Sequence, residues 1–225
     1  GYVYCDHDYN PAQAREEIEK KLAQKIKPIK DLKFTTGRME KMWVKNVMSL
    51  GLASSFIEPL EATSIHATCF QTTHFIENYF KEEMPFECEL LHQQYNYAIT
   101  QMYDQIKDFI VFHYISPRKD TVFWQEASSP KRWSDALKHK LELWKIRMPR
   151  IVDYTFSHSN NYSLGNTLWY QIGLGMKLFN PKLAKQELME YGLYYDTRKD
   201  YEEMKIKLKK VLPQLYLTNT YYKNL

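Results

Sequence analysis

Glycine is scarce in this chain, seven in 225 residues, under half of the roughly 7% usual in globular proteins. A fold built on many glycine turns, such as a complete nucleotide-binding sheet domain with its phosphate loop, is not expected within it. Cysteine is scarce too. Cys5, Cys69 and Cys88 are an odd number without C-x-x-C spacing, which excludes a disulfide framework and suits free thiols in a reducing compartment, so a cytoplasmic location is expected. The uncharged stretch from Ala62 to Ile76 carries Thr63, Ser64, His66, Gln71 and Thr72. It falls short of the ~20 apolar residues that a bilayer requires, so no membrane partner is expected. A dominant charge is also missing. Lys and Arg total 31 against 27 acidic residues, net +4, and the lysines at 20–33 and 205–210 alternate with Ile and Leu as on solvated amphipathic faces. Nucleic acid is therefore not an expected partner.

What is present is a globular composition, 44% hydrophobic and 26% charged, sufficient to bury a core. The chain opens at Gly1 with the β-prone Tyr2, Val3 and Tyr4 instead of Met, and is expected to be part of a longer sequence. Gly1 to Cys5 reads as the end of a strand. Asn10 as N-cap and Pro11 at the first helical position predict a helix to about Ile26, ended by Pro28. Leu32 to Gly37 reads as a strand and turn, and Trp43 to Leu50 as a second apolar strand, together a sheet edge. Beyond Pro59 helical spacing takes over. Leu60, Ile65, Cys69, Phe70, Phe75, Ile76 and Tyr79 predict a buried helix, and Leu91, Tyr95, Ile99, Met102, Ile106, Phe109, Ile110 and His113 predict a long one from about Cys88 to Tyr114. Further helices are predicted over about 134–145, 168–176, 181–191 and 198–211, separated by Pro149, the polar run Ser157 to Ser163, Asn180 and Pro213. The expected fold class is mainly α with a small β part.

The stretch Glu58-Pro59-Leu60-Glu61-Ala62-Thr63-Ser64 admits two readings. A proline at the first helical position leaves backbone N–H groups and the positive end of the helix dipole free to hold a halide, a phosphate or an oxyanion, with the Glu61 carboxylate aimed into the same space. Alternatively Glu61, three residues after a cap-like Glu58, completes a capping box that only stabilises its own helix, by about 0.5–2 kcal/mol. Spacing alone favours the second. His66 and His74 share a helix face with Cys69 between them, but without H-E-x-x-H or a carboxylate at ligand spacing they read as packed residues and not metal ligands. Phe123, Trp124, Trp133, Trp144, Tyr154, Phe156, Trp169 and Tyr170 can line a flat aromatic pocket, although most are expected to be core.

Taken as a whole, Gly51-Leu52-Ala53-Ser54-Ser55-Phe56-Ile57-Glu58-Pro59-Leu60-Glu61-Ala62-Thr63-Ser64-Ile65-His66 resembles the signature of the flavin-dependent tryptophan halogenase family. Gly1-Tyr2-Val3-Tyr4, Phe34-Thr35-Thr36-Gly37-Arg38, Trp43-Val44-Lys45-Asn46, Asp108 to Tyr114 and Asp120-Thr121-Val122-Phe123-Trp124 resemble further landmarks in family order. The resemblance implies that residues 1–60 are the C-terminal remnant of a flavin-binding domain, the edge of an FAD-binding α/β domain, and that 61–225 form a helical substrate and halide module. The implied reaction is halogenation of an electron-rich, indole- or tryptophan-like aromatic by hypohalous acid made from a flavin hydroperoxide. It consumes O2 and a halide ion, with FAD arriving as FADH2 from a separate flavin reductase. Residue by residue, the resemblance makes Glu61 catalytic, Thr63 and Ser64 the halide pair, and Leu52 and Ile65 contacts of the flavin.

Ser55 and Ala62 depart from the commonest family residues, and Ser64 and His66 stand where tryptophan-specific members have glycine and an aromatic residue. The resemblance therefore does not carry free tryptophan over as the substrate. The family's glycine-rich FAD fingerprint, its W-x-W-x-I-P motif and its catalytic lysine are expected upstream of Gly1. The chain by itself is accordingly expected to bind FAD weakly or not at all and to be inactive. Two rivals stand beside this reading: a non-catalytic helical interaction module, and a flavin monooxygenase that hydroxylates or epoxidises an aromatic.

Overall fold

The computed structural model describes residues 1–83, 85–154 and 166–212. Helix α1 (Pro11–Leu22) is followed by four two-residue strands, β1 (Gly37–Arg38), β2 (Trp43–Val44), β3 (Val47–Met48) and β4 (Ser55–Phe56), and then by α2 (Thr63–Asn78) and α3 (Glu89–His113). Helices α4 (Val122–Ala127), α5 (Asp135–Ile146), α6 (Asn166–Gly175), α7 (Pro181–Glu190) and α8 (Tyr194–Val211) complete the described chain. The protein is mainly helical, as the periodicity predicts. Residues 1–142 and 149–178 form one compact unit, and 143–148 with 179–225 another.

Helix α1 begins as its sequence dictates. Asn10 accepts the Gln13 amide while the Gln13 side chain returns to the Asn10 amide, a reciprocal cap. Its end comes earlier than the predicted Ile26. Ala23 adopts a left-handed conformation at φ 52°, and the next residues fold back so that Glu19 binds Arg15, Lys25 and the Ile26 amide at once. Lys25, that amide and Arg15 hold the Glu19 carboxyl down to about 2. The side-chain anchor, and not Pro28, stops the helix.

The strands are shorter than expected. Gly1 to Cys5 carries no strand, and of Leu32 to Gly37 only Gly37 enters one, β1, which pairs antiparallel with β4. Trp43 to Leu50 is a tight hairpin instead of one strand: β2 pairs β3, with Lys45 at φ 53° turning the chain between them. Helix α2 is only half buried. Ala67, Phe70 and Gln71 are buried, whereas Ile65, Cys69 and Ile76, expected in its core face, lie exposed. The run Ser157 to Ser163 and Phe156 lie outside the described residues.

Helix α3 is the beam on which the first unit is assembled. Ten of its residues, from His92 to Phe112, are buried, so it is wrapped on several sides instead of lying on one face. Against it the Trp43 ring sits between Phe75, Tyr79, His92 and Tyr95 at centroid distances of 4.5–5.8 Å, geometry in which aromatic edges meet faces. Asn96 ties the hairpin down. Its Oδ1 accepts the Met42 and Trp43 amides and its Nδ2 donates to the Trp43 carbonyl, all at 2.8 Å. One turn pair further on, Asp104 takes a forked contact from Arg38 of β1 at 3.1 and 3.3 Å. Near its end, Phe109 and Phe112 pack on Trp169 of α6, and Asp108 accepts the Ser134 hydroxyl that also caps α5.

In the second unit, Asn180 caps α7 ahead of Pro181, Trp144 meets Phe179 edge-on at 5.8 Å, and Glu187 accepts the Met148 amide. Helix α8 leaves Tyr201, Met204 and Leu208 exposed beside its lysines. Among the described residues no helix is long and apolar enough to cross a membrane.

The Asn96 clamp gives a direct test. Asn96→Ala leaves three backbone groups of the nearly buried Met42 and Trp43 without partners, so it should destabilise the protein by about 2–3 kcal/mol in urea unfolding followed by tryptophan fluorescence. A loss below about 0.5 kcal/mol, the range of an ordinary surface change, would show that the hairpin holds its place without it.

Candidate active site

The stretch 58–64 does not fold as a capped helix. Leu60–Ala62 is a single 3-10 turn with Pro59 ahead of it, and α2 starts only at Thr63. Within that turn Glu61 (φ 62°, ψ 6°) and Ala62 (φ 49°, ψ 33°) are both left-handed, a conformation that costs a side-chain-bearing residue about 1–2 kcal/mol. No side chain caps α2. The capping-box reading of Glu58 and Glu61, favoured on spacing, is thereby overturned: two left-handed residues interrupt the helix start that such a box requires.

Both carboxylates are instead taken up by the end of α3. The Tyr114 hydroxyl donates to Glu58 Oε1 at 2.6 Å, and His113 Nε2 lies 3.1 Å from Glu61 Oε1. His113 Nδ1 sits 2.7 Å from the Phe109 carbonyl. A carbonyl can only accept, so Nδ1 carries a hydrogen and the contact to Glu61 needs a second proton, held by Nε2 or by the carboxyl. The His113 ring is further fixed edge-on to Phe109 at 4.6 Å. Burial pushes the Glu58 carboxyl above its ordinary value, with the Tyr114 hydrogen bond and the nearby His113 pulling the other way. Burial and the Glu58 contact push the Tyr114 hydroxyl up.

The neighbouring turn Gly51–Ala53 is set against α2 by a buried amide. Gln71 Oε1 accepts the Gly51 amide and the Tyr103 hydroxyl, and its Nε2 donates to Ser54 Oγ. Gly51 is left-handed at φ +58°, and a Cβ there would meet Thr68 Oγ1 at 3.0 Å, so only glycine lets the turn lie this close. Leu52 on that turn and Ile65 on α2 expose 66% and 71% of their surface. Thr63 is buried and Ser64 half-buried at the first turn of α2, where helical amides lack intrahelical acceptors. The expected site residues thus fall on one short stretch. His66 is exposed, while His74 packs among Phe70, Tyr79 and Tyr95 and burial pushes its pKa down.

Of the aromatics, Trp169 is 2% exposed and packs on Phe109, Phe112 and Tyr154, with Lys140 Nζ 5.0 Å over its ring. Burial pushes that lysine down, against the pull of Asp108 and Asp153. Phe123 and Trp124 lie against Tyr114. An open cleft of about 710 Å³ between α1 and the start of α4 is lined by Tyr9, Gln13, Glu17, Thr121 and Phe123 among others, and by none of residues 58–66.

Comparison with known proteins decides the family. The tryptophan halogenase family model matches residues 1–189. The chain belongs to the tryptophan halogenase family. This halogenase-family chain is 33% identical over 152 residues to the tryptophan 6-halogenase ThaL of Streptomyces albogriseolus, covering 66% of the chain and 28% of that protein. It is 30% identical over 151 residues to the tryptophan 7-halogenase RebH of Lentzea aerocolonigenes, again over 66% of the chain and 28% of the relative. The crystal structure of the tryptophan 6-halogenase SttH from Streptomyces toxytricini shares the fold with a TM-score of 0.77 and 22% identity, over 100% of this chain and 43% of that one. The chain therefore spans under a third of the curated relatives and under half of the similar structure.

The partners of Glu58 and Glu61 escaped sequence reasoning. His113 and Tyr114 stand in the sequence within one of the landmarks of the resemblance, at the end of a periodic helix, but no role attaches to them there, because their partners lie 52 and 56 positions away. The Glu58 contact sets a pH test. A carboxyl whose pKa is raised on folding binds its proton more tightly in the folded state, so stability is lost as pH rises above the ordinary value of 4.5 until the folded group ionises. Glu58→Gln should remove that loss and Tyr114→Phe enlarge it, in thermal unfolding between pH 4 and 7. Identical pH slopes in the wild type and Glu58→Gln would contradict the assignment.

Proposed function

We propose that the chain is the C-terminal portion of a flavin-dependent halogenase acting on an electron-rich, indole- or tryptophan-like aromatic. In this reading residues 1–60 end a flavin-binding domain and 61–225 form the helical substrate and halide module. The observation that carries it is the Glu61 carboxylate, turned off its own helix, 39% exposed and held through one oxygen by His113. Glu61 Oε2 has no hydrogen bond among the described residues and is left to work. The names of the relatives, tryptophan 6- and 7-halogenases, support an indole-bearing substrate.

The residues present suit a flavin ring, since Leu52 and Ile65 expose apolar side chains on the turn and helix that meet at Gly51 and Thr68. They would hold FAD, which when bound in its reduced form supplies, with O2 and halide, the hypohalous acid. A separate flavin reductase provides the electrons. At the first turn of α2 the amides of Thr63 and Ser64 attract the halide. Halogen transfer then breaks the halogen–oxygen bond as the ring carbon bonds the halogen; the oxygen leaves as hydroxide, takes a proton from solvent to become water, and the ring is left cationic. Glu61 stabilises that cation and takes the ring proton on Oε2, and the C–H electron pair restores aromaticity.

In the full-length protein that carries this chain, Glu61→Gln should leave flavin binding and peroxide formation intact. Brominated product from indole should fall about 10²–10⁴-fold, the usual worth of general base catalysis, as measured by the bromine isotope doublet in mass spectrometry. Undiminished bromination in the variant, or hydroxylated indole without a doublet from the wild type, would sink the reading.

A further inference from the structure

The mechanism proposed above uses Glu61 and leaves His113 unexplained, although the geometry around that imidazole is more constrained than packing demands. It is the last residue of a 25-residue helix, its side chain is 11% exposed, and each of its nitrogens has one partner. Nδ1–H is committed to the Phe109 carbonyl at 2.7 Å, which aims Nε2 at Glu61 Oε1, 3.1 Å away. With an ionised Glu61 and a neutral His113 the two facing atoms would both be acceptors and could not bond. The contact as it stands therefore holds one proton more than the empty pair, and that proton lies on the axis between the two groups.

We propose that His113 is a positioning residue that serves as the proton reservoir of the Glu61 carboxylate, which it holds only while the shared proton is present. The inference rests on the reading of Glu61 as the base of halogen transfer. Before transfer the pair is empty, with Glu61 ionised and Nε2 holding a free lone pair. The ring C–H bond breaks, its electrons return to the ring, and the proton goes to Glu61. Rotation of the carboxyl brings the protonated Oε2 to face Nε2 in place of Oε1, and an N–H bond forms there as the O–H bond breaks. Glu61 is again ionised, the imidazole is charged, and the contact is the one seen here. Loss of that proton to water resets the pair. The charged groups around His113 are few. Glu61 and Glu58 reach it from the turn ahead of α2, and Glu58 is occupied by the Tyr114 hydroxyl. Its own helix adds Asp108, tied to Ser134, and Lys107, while α6 presents Trp169, with Lys140 of α5 over that ring.

The test is single-turnover bromination of indole by the full-length protein, loaded with reduced flavin and bromide, between pH 5.5 and 9. The wild type should gain rate with pH through one ionisation, that of the pair. His113→Asn keeps an N–H donor for Glu61 but cannot accept its proton, so the rate should drop about 10²-fold and lose that ionisation. His113→Asn with the wild-type rate and profile, alongside an inactive Glu61→Gln, would overturn the inference and leave the reading of Glu61 standing. Active Glu61→Gln would overturn both. Should His113→Asn not fold, nitrogen-15 histidine spectra of the wild type and Glu61→Gln decide the matter. The His113 Nε2 titration must move when the carboxylate is neutralised, and an unchanged titration refutes the pair.

Discussion

Two adjacent residues at the end of α3 hold two carboxylates of one turn, and the arrangement of the site follows from that grip. Tyr114 takes Glu58 and His113 takes Glu61. Against these contacts stand two successive left-handed residues, Glu61 and Ala62, a strain of about 1–2 kcal/mol each. Left to itself, the segment would relax towards an ordinary helix start with Glu61 near its own amides. The α3 contacts keep it in the strained form, and strain held by surrounding structure is common where a side chain must be presented for chemistry.

The grip can be firm because α3 is itself held along its length. Asn96 ties it to the Trp43 hairpin, Tyr103 to Gln71 and so to the Gly51 turn, Asp104 to Arg38, and Asp108 to Ser134. Each anchor is a polar side chain bonded to a segment distant in sequence, and most lie where an unpaired group would be costly. Leu52 and Thr63 are thus carried by the same helix that fixes Glu61. Leu52 and Ile65 expose apolar side chains beside it, the surface that the proposed function assigns to the flavin.

How legible all this was in the sequence depends on the distance over which each feature is decided. Helix α3 and the starts of α1 and α7 were readable, because a 3.6-residue period and an Asn-Pro cap are local signals. The end of α1 was not, since Glu19 stops it through Lys25 and Ile26. The hairpin at Trp43 was misread as one strand, because the turn depends on Lys45 adopting φ 53° and no glycine marks it. Glu61 was singled out through the family resemblance, while its spacing from Glu58 favoured a cap that does not form. Its partner in the structure, His113, lies on a periodic helix and within a landmark of the resemblance but carries no role in either, since a contact across 52 residues leaves no trace in a local pattern.

The central claim is that Glu61 is diverted from capping α2 so that the first-turn amides stay open to an anion while His113 keeps the carboxylate. Anomalous diffraction from crystals of the full-length protein soaked in bromide tests it most directly. The account predicts a bromide peak beside the Thr63 and Ser64 amides with the Glu61 carboxylate still on His113. A Glu61 side chain folded back onto those amides, with no bromide at the start of α2, would contradict it.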